Sequence, residues 1–389
     1  MIIMENRTLG LAKVTSEHEL ILNLLSGFQM YYIPILVCLG SLGNCLSVCV
    51  IFCTKMRRTS SNFYLAALAI SDTGFLVTLF VVWLGMVEVK LFDRQGFCQF
   101  FVYLTTVCSF LSAWFVVAFT VERFVAVRYP LRLQWMCTVK RAKTILLSIT
   151  LVGLVVCSPV LLFSKPQTTN LLNTTTCSLA AEWQKWASTY NVIDTVLTFV
   201  VPFCLIVVLN GLIVKSVGIL ARVRRTLTIE AGVQQGDRDR SSGSQSPRGV
   251  VHQQKVTKML LMVSSVFLCF NLPAYVIRIY IYVLTQKNEE KHHNLHLIIA
   301  QQISNILFDT NFGINFVLYC ATGQNFRTIV VRVLCRRCRS RTNNSSLTQR
   351  SSQRNLFVMD SDRSGGSMYR HRAQTINAPW TECHEMQSF

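Results

Sequence analysis

The chain has 389 residues, 51% of them apolar and only 15% charged, with 38 lysines and arginines against 19 acids. Soluble domains carry roughly 25% charged residues, so a string of soluble domains, disorder over most of the length and a small disulfide scaffold are all excluded. The net charge of +19 is not a nucleic-acid signature. Its cations crowd into short stretches between apolar segments, as orientation in a bilayer requires.

Residues 1–28 form a polar N-terminal segment. They lack a basic stretch ahead of an apolar run, so no cleaved signal peptide is predicted. Seven apolar segments follow, at Gln29–Cys53, Phe63–Val87, Gln99–Val127, Ala142–Phe163, Tyr190–Leu220, Val256–Leu284 and Leu295–Cys320. Each is near the ~20 residues that a helix needs to cross a bilayer, whereas a membrane strand needs only ~9–11. Helices also pair their own backbone groups in hydrocarbon. The expectation is an all-α membrane protein, a seven-transmembrane helix bundle over residues 29–323.

Basic residues cluster in the first, third and fifth connections and after the seventh span, as at Arg57, Arg141, Arg224 and Arg336. The positive-inside rule then puts the N-terminus outside and the C-terminus inside. The fifth connection, 222–254, is a flexible polar loop with a Gly/Ser/Asp/Arg-rich run. Residues 324–338 carry Phe326, Ile329, Val330 and Val333 on one face, the pattern of a short amphipathic eighth helix lying in the interface. Cys335 and Cys338 at its end are candidate acylation sites. Residues 339–389 form a disordered Ser/Arg-rich tail.

Polar groups inside spans line a bundle interior or a water-filled cavity. Asp72 lies midway through the second span, within reach of Ser112 and of Asn311 and Asn315, which share a helix face. That oxygen set suits a small hard cation such as sodium, and equally a hydrated network. Glu122 and Arg123 lie at the inner end of the third span, as an interfacial anchor or as a latch. Asp194, Asp309 and Arg278 lie in outward halves. The carboxylates would meet a basic ligand group, or Asp194 would pair internally with Arg278. Pro159, Pro202 and Pro273 interrupt spans four to six. Cys98 and Cys177 fall on the outer side, where oxidation is permitted. Asn6 and Asn173 are outward glycosylation acceptors. No phosphate loop, zinc motif or paired CxxC is present, so no enzyme is expected. A transporter would share the midplane polar groups, yet the halves show no repeat.

These motifs resemble the rhodopsin-like (class A) G protein-coupled receptors over roughly residues 29–338. Gly43-Asn44, Leu68-Ala69-Ile70-Ser71-Asp72, the Cys98/Cys177 pair, Glu122-Arg123-Phe124, Pro202, Phe267 with Pro273, and Asn315-Phe316-Val317-Leu318-Tyr319 follow the family's order. The resemblance implies that Arg123 contacts a heterotrimeric G protein, that Asp72, Ser112, Asn311 and Asn315 form a sodium region, and that Tyr319 moves on activation. It also implies a Cys98–Cys177 disulfide, palmitate at Cys335 or Cys338, and a ligand pocket including Thr105 and Asn305. No cofactor is required. The chain departs from the family pattern at Asn271, Asn210 and Phe316, where tryptophan, tyrosine and proline are usual, and lacks the tryptophan of the fourth helix. Thr105 disfavours an amine ligand. Residues 311–327 are similar to invertebrate neuropeptide receptors of the FMRFamide/myosuppressin group. That likeness implies a plasma-membrane receptor for an amidated peptide, with arrestin and receptor kinases as partners of its tail.

Overall fold

The computed structural model describes residues 2–129, 132–169, 174–233, 248–286, 295–323 and 326–333. Residues up to Arg332 form one compact unit, and beyond it only Val333 is described. Helix α1 covers Ile2–Phe52, α2 Ser60–Met86 and α3 Phe97–Arg128. Helix α4 runs over Val139–Val156 and resumes for one turn at Val160–Phe163, the break falling at Pro159. Strands β1 (Ser164–Thr169) and β2 (Thr174–Leu179) pair antiparallel, Ser164 opposite Leu179. Helix α5 consists of Gln184–Thr195, a π-helical segment Val196–Val200 and Val201–Val233. Helices α6 (Arg248–Gln286), α7 (Leu295–Thr322) and α8 (326–333) complete the chain.

Several boundaries differ from expectation. Helix α1 begins at Ile2, and its apolar part begins at Leu20 rather than at 29. Leu20, Ile21, Leu24 and Leu25 carry apolar character upstream, and the polar residues before them propagate the same helix. Helices α5 and α6 extend into the expected 222–254 loop, to Val233 and from Arg248. Among the described residues, six helices are long and apolar enough to cross a membrane on those grounds alone. Helix α7 is not one of them. Gln301, Gln302, Asp309, Asn311 and Asn315 dilute its hydropathy, and the bundle interior rather than lipid accommodates polar groups of this kind.

Helix α3 occupies the middle of the bundle and α4 its periphery. The most apolar windows of α2 and α3 are 56% buried, that of α4 only 17%. On α3, Phe110, Phe115 and Val116 are buried in one cluster with Ile206 and Phe267, and Phe119 in another with Ile213 and Leu260. Helices α1 and α7 meet at small residues. A Cβ on Gly40 would stand 2.8 Å from the Gly313 Cα, and one on Gly43 2.8 Å from the Phe316 Cβ. The glycines thus permit a backbone-to-backbone seam, the usual use of small residues between membrane helices.

The π segment has a local cause. Pro202 has no N–H, and its ring crowds the carbonyl four residues earlier. The chain widens, and the Val201 N–H bonds the Val196 carbonyl. The Leu197 carbonyl then lacks its helical donor, because the residue five positions on is Pro202. The Trp114 indole of α3 donates to it at 3.0 Å. A defect in one helix becomes a tie between two.

Candidate functional site

At the end of the bundle where α3 finishes, Glu122 and Arg123 are buried side by side. Arg123 donates to the Glu122 carboxylate at 2.8 Å, and the two side chains are 10% and 6% exposed. The Ser60 hydroxyl donates to the same carboxylate oxygen at 3.0 Å, and Ser61 donates to it as well. The Arg123 guanidinium lies 5.7 Å from the centre of the Phe119 ring, and its Nε has no hydrogen-bond partner among the described residues. Both charges are turned inward, which is not the geometry of a snorkelling anchor. Cys137, in the connection after α3, has its thiol pKa raised by burial first and by Glu122 second. Asn210 of α5 donates to Ser264 of α6 at 2.8 Å, a bond in place of the family's tyrosine.

A second polar centre lies midway along the bundle. Asp72 is fully buried and accepts from Ser112 at 2.9 Å and from Asn315 at 2.6 Å. The Asn315 amide also leans toward the Asn311 carbonyl at 3.5 Å. Asn44 bonds the Phe312 carbonyl at 3.0 Å, which fixes α1 to α7 beside this centre. Tyr319 is wholly buried, and its hydroxyl has no partner among the described residues. Phe267 packs in the core, and the Asn271 amide donates to the Phe267 carbonyl at 2.7 Å. Asn271 therefore satisfies its own helix just before Pro273. Its family counterpart, tryptophan, has no carbonyl-seeking amide to use this way.

At the opposite end, where Cys98 and Cys177 are disulfide-bonded, a cavity of about 520 Å³ opens between α5, α6 and α7. Its wall includes Asn191, Tyr275, Arg278, Gln301, Asn305 and Phe308. Tyr275 is held flat against Phe199, ring centres 4.3 Å apart, which sets the floor. Behind Arg278 stands Asp194, accepting from it at 3.1 Å and from Thr198 at 3.0 Å. The internal pairing of Asp194 with Arg278 is the one observed. The arginine remains 43% exposed, with further N–H donors to offer. Asp93 accepts from the Cys177 backbone N–H at 2.9 Å and so braces the hairpin beside the disulfide.

Three residues expected at this pocket do not line it: Asp194, which stands behind Arg278, Thr105 and Asp309. The Thr105 hydroxyl bonds the Phe101 carbonyl of its own helix at 2.8 Å. Asp309 shares the α7 face that meets α1, where Gln302 pairs with Gln29, Thr310 with Tyr32, and Gly313 with Gly40. It makes no hydrogen bond or ion pair among the described residues. Asn173, Cys335 and Cys338, and the side chain of Asn6, lie outside the described residues. Ser60, Ser61, Trp114 and Asn191 were not singled out by sequence reasoning. Only the serines carried a signal, as hydroxyls opening a span next to a basic turn.

The fold is thus a bundle of seven membrane helices with a cavity at one end, a buried acid–arginine pair at the other and a polar centre between them. The chain belongs to the 7 transmembrane receptor (rhodopsin family), whose model matches residues 43–319. This is a family of receptors rather than enzymes. The chain is similar to somatostatin receptor type 4 of Rattus norvegicus, at 28% identity over 78% of this chain and 72% of that one. It is also similar to a QRFP-like peptide receptor of Branchiostoma floridae, at 24% identity over 77% and 74%. A thyrotropin-releasing hormone receptor of Gallus gallus is 29% identical over 52% of this chain and 50% of that one.

Proposed function

We propose that the chain is a plasma-membrane receptor, N-terminus outside, that binds an extracellular peptide in the α5–α6–α7 cavity and activates a heterotrimeric G protein at the Arg123 end. The carrying observation is the cavity itself: polar side chains converge on an aromatic floor, and the Arg278 of its wall, paired with Asp194 behind it, keeps donors to offer. Because Asp194 already balances Arg278, the remaining donors suit a neutral carbonyl better than a second carboxylate, which favours an amidated C-terminus. The somatostatin, QRFP-like and thyrotropin-releasing hormone receptor likenesses support a peptide. The likeness to FMRFamide/myosuppressin receptors is a finer assignment that those relatives do not share.

Binding shifts an inactive–active equilibrium only so far as the peptide prefers the active arrangement. In the inactive one Arg123 is held by Glu122, and release of that pair would free the guanidinium for the G protein. A panel of amidated and free-acid peptides, read by nucleotide exchange in membranes from receptor-expressing cells, tests the reading. Exchange stimulated by an amidated peptide, with no accumulation of labelled peptide inside vesicles, supports it. Accumulation without exchange would establish a transporter instead.

The residues around Asp72 fit sodium. The carboxylate is buried, meets no described cation, and has hydroxyl and amide groups at its sides. Asp72 would supply the compensating charge and Ser112, Asn311 and Asn315 the orienting groups. Asp72→Asn should then abolish any sodium dependence of agonist binding in radioligand competition. An unchanged dependence removes sodium from this site.

A further inference from the structure

The foot of α4, on the Arg123 end of the bundle, carries a cluster of cations set apart from the Glu122–Arg123 pair. No acidic residue occurs in the sequence between Glu122 and Glu182. Over that stretch Arg132, Lys140, Arg141 and Lys143 are all exposed, and none pairs with an acid among the described residues. Lys143 is steadied by the Phe63 ring, with its Nζ 5.4 Å from the ring centre. Between these cations Trp135 stands 81% exposed, with Met136 beside it at 43%.

The direction of α4 decides what covers this patch. Its inner face is narrow, marked by buried Ala142 and Gly153. Its outer face runs through Leu147, Leu151 and Val155, which are 61%, 55% and 72% exposed. In a membrane those leucines and that valine face acyl chains. Lys143 and Lys140 stand one and two turns before Leu147 on the same face, so their ammonium groups come at the level of the headgroups. An exposed tryptophan at that level has the amphipathic ring of an interfacial anchor. The four cations are all exposed at this end of the bundle, so the attraction they offer is that of a surface.

We propose that Arg132, Trp135, Lys140, Arg141 and Lys143 form a docking surface for phosphatidylserine, the tryptophan seated between headgroups and the cations neutralising them. The inference does not depend on the identity of the receptor's ligand. Nor does it depend on the side of the membrane assigned to this end, since a nanodisc offers both leaflets.

The test uses the full-length receptor in phosphatidylcholine nanodiscs with and without phosphatidylserine. Quenching of the Trp135 contribution, taken as the difference from Trp135→Phe, is read with brominated chains on one headgroup or the other. Brominated phosphatidylserine should quench more strongly than brominated phosphatidylcholine, and added salt should narrow the gap. Each cation changed to glutamine at 140, 141 and 143 should lower the selectivity about fivefold. Lys140→Arg with Lys143→Arg should preserve it, which guards against a misfolded variant. Equal quenching by both lipids in the wild type would overturn the proposal. So would a triple glutamine variant that keeps its lipid selectivity but loses nucleotide exchange, since the patch would then serve a protein. A phosphoinositide at matched headgroup charge should compete no better than phosphatidylserine. Tighter, saturable competition would mean a discrete phosphate site in place of the surface.

Discussion

The two ion pairs at the ends of the bundle are made of the same chemical groups and are opposite in kind. Glu122–Arg123 is enclosed, and two serine hydroxyls donate to the same carboxylate oxygen as the arginine. Arg278–Asp194 is half open, with its arginine facing a cavity. A charge in water loses little when its partner leaves, whereas a buried one loses nearly everything. The first pair is therefore suited to holding a conformation and the second to meeting a ligand. Breaking each in turn is the direct check of that difference.

The largest effect is expected at the enclosed pair. Glu122→Ala leaves the Arg123 guanidinium buried without its acid, and removing one partner of such a pair costs about 3–5 kcal/mol. The closed arrangement is the one that loses, so ligand-free nucleotide exchange should rise while thermal stability of the purified receptor falls. Glu122→Gln keeps an acceptor for Ser60 and Ser61 and should fall between the two. Wild-type stability and basal exchange in Glu122→Ala would mean that the pair holds nothing closed. Arg123→Ala should instead lose exchange while keeping peptide binding.

An intermediate effect belongs to the tie between α3 and α5. Trp114→Phe leaves the Leu197 carbonyl without a donor in hydrocarbon, a loss of about 1–3 kcal/mol. Pro202→Ala restores a backbone N–H that can reach that carbonyl. The two changes should therefore be less than additive in thermal unfolding, a coupling that independent sites do not show. Strict additivity would mean that the indole and the proline do not share the carbonyl.

What the sequence made legible follows the same division between enclosed and open groups. The seven spans were visible as apolar segments near the ~20 residues that a crossing needs, although Leu295–Cys320 carries more polar residues than the others. The Asp72–Ser112–Asn315 centre was visible because charged or amide groups inside spans are few, so their partners are few, and the disulfide because Cys98 and Cys177 fall on the outer side and match the family's pair. The cavity was less visible. Asp309 and Thr105 look like pocket residues by depth alone, but rotation about the helix axis sets which face they show. The α1–α7 glycine seam turns Asp309 away, and Thr105 bonds its own helix. The π segment shifts the register of every α5 residue before Val196, Asn191 among them, and periodicity carries no mark of it. The departure at Phe316 was visible as a residue, but its fit was not. It fills the space beside Gly43 and meets Phe326 of α8 edge-on at 6.0 Å. With an N–H where proline has none, it imposes no kink on α7.

The smallest effect on the fold is expected at the open pair, and this is where its difference from the enclosed one is sharpest. Arg278 is 43% exposed and Asp194 11%, so solvent screens the attraction and the pair contributes at most about 0–1 kcal/mol to stability. Asp194 also keeps Thr198 as a donor when Arg278 is removed. Arg278→Gln and Asp194→Asn should each shift thermal unfolding by less than Trp114→Phe does. Peptide binding should respond differently. If the free guanidinium donors bond a terminal carboxamide, Arg278→Gln removes a charge-assisted bond of about 1.5–3 kcal/mol, roughly 10- to 150-fold in affinity. Asp194→Asn leaves that arginine in place but uncompensated. It should raise affinity for the free-acid form of the same peptide relative to the amide, because the carboxylate now replaces the charge that was removed. The amide-to-acid affinity ratio in wild type and Asp194→Asn is the measurement. A ratio unchanged by the substitution would mean that the peptide terminus lies away from Arg278, and the open pair would then be only a weak brace between α5 and α6.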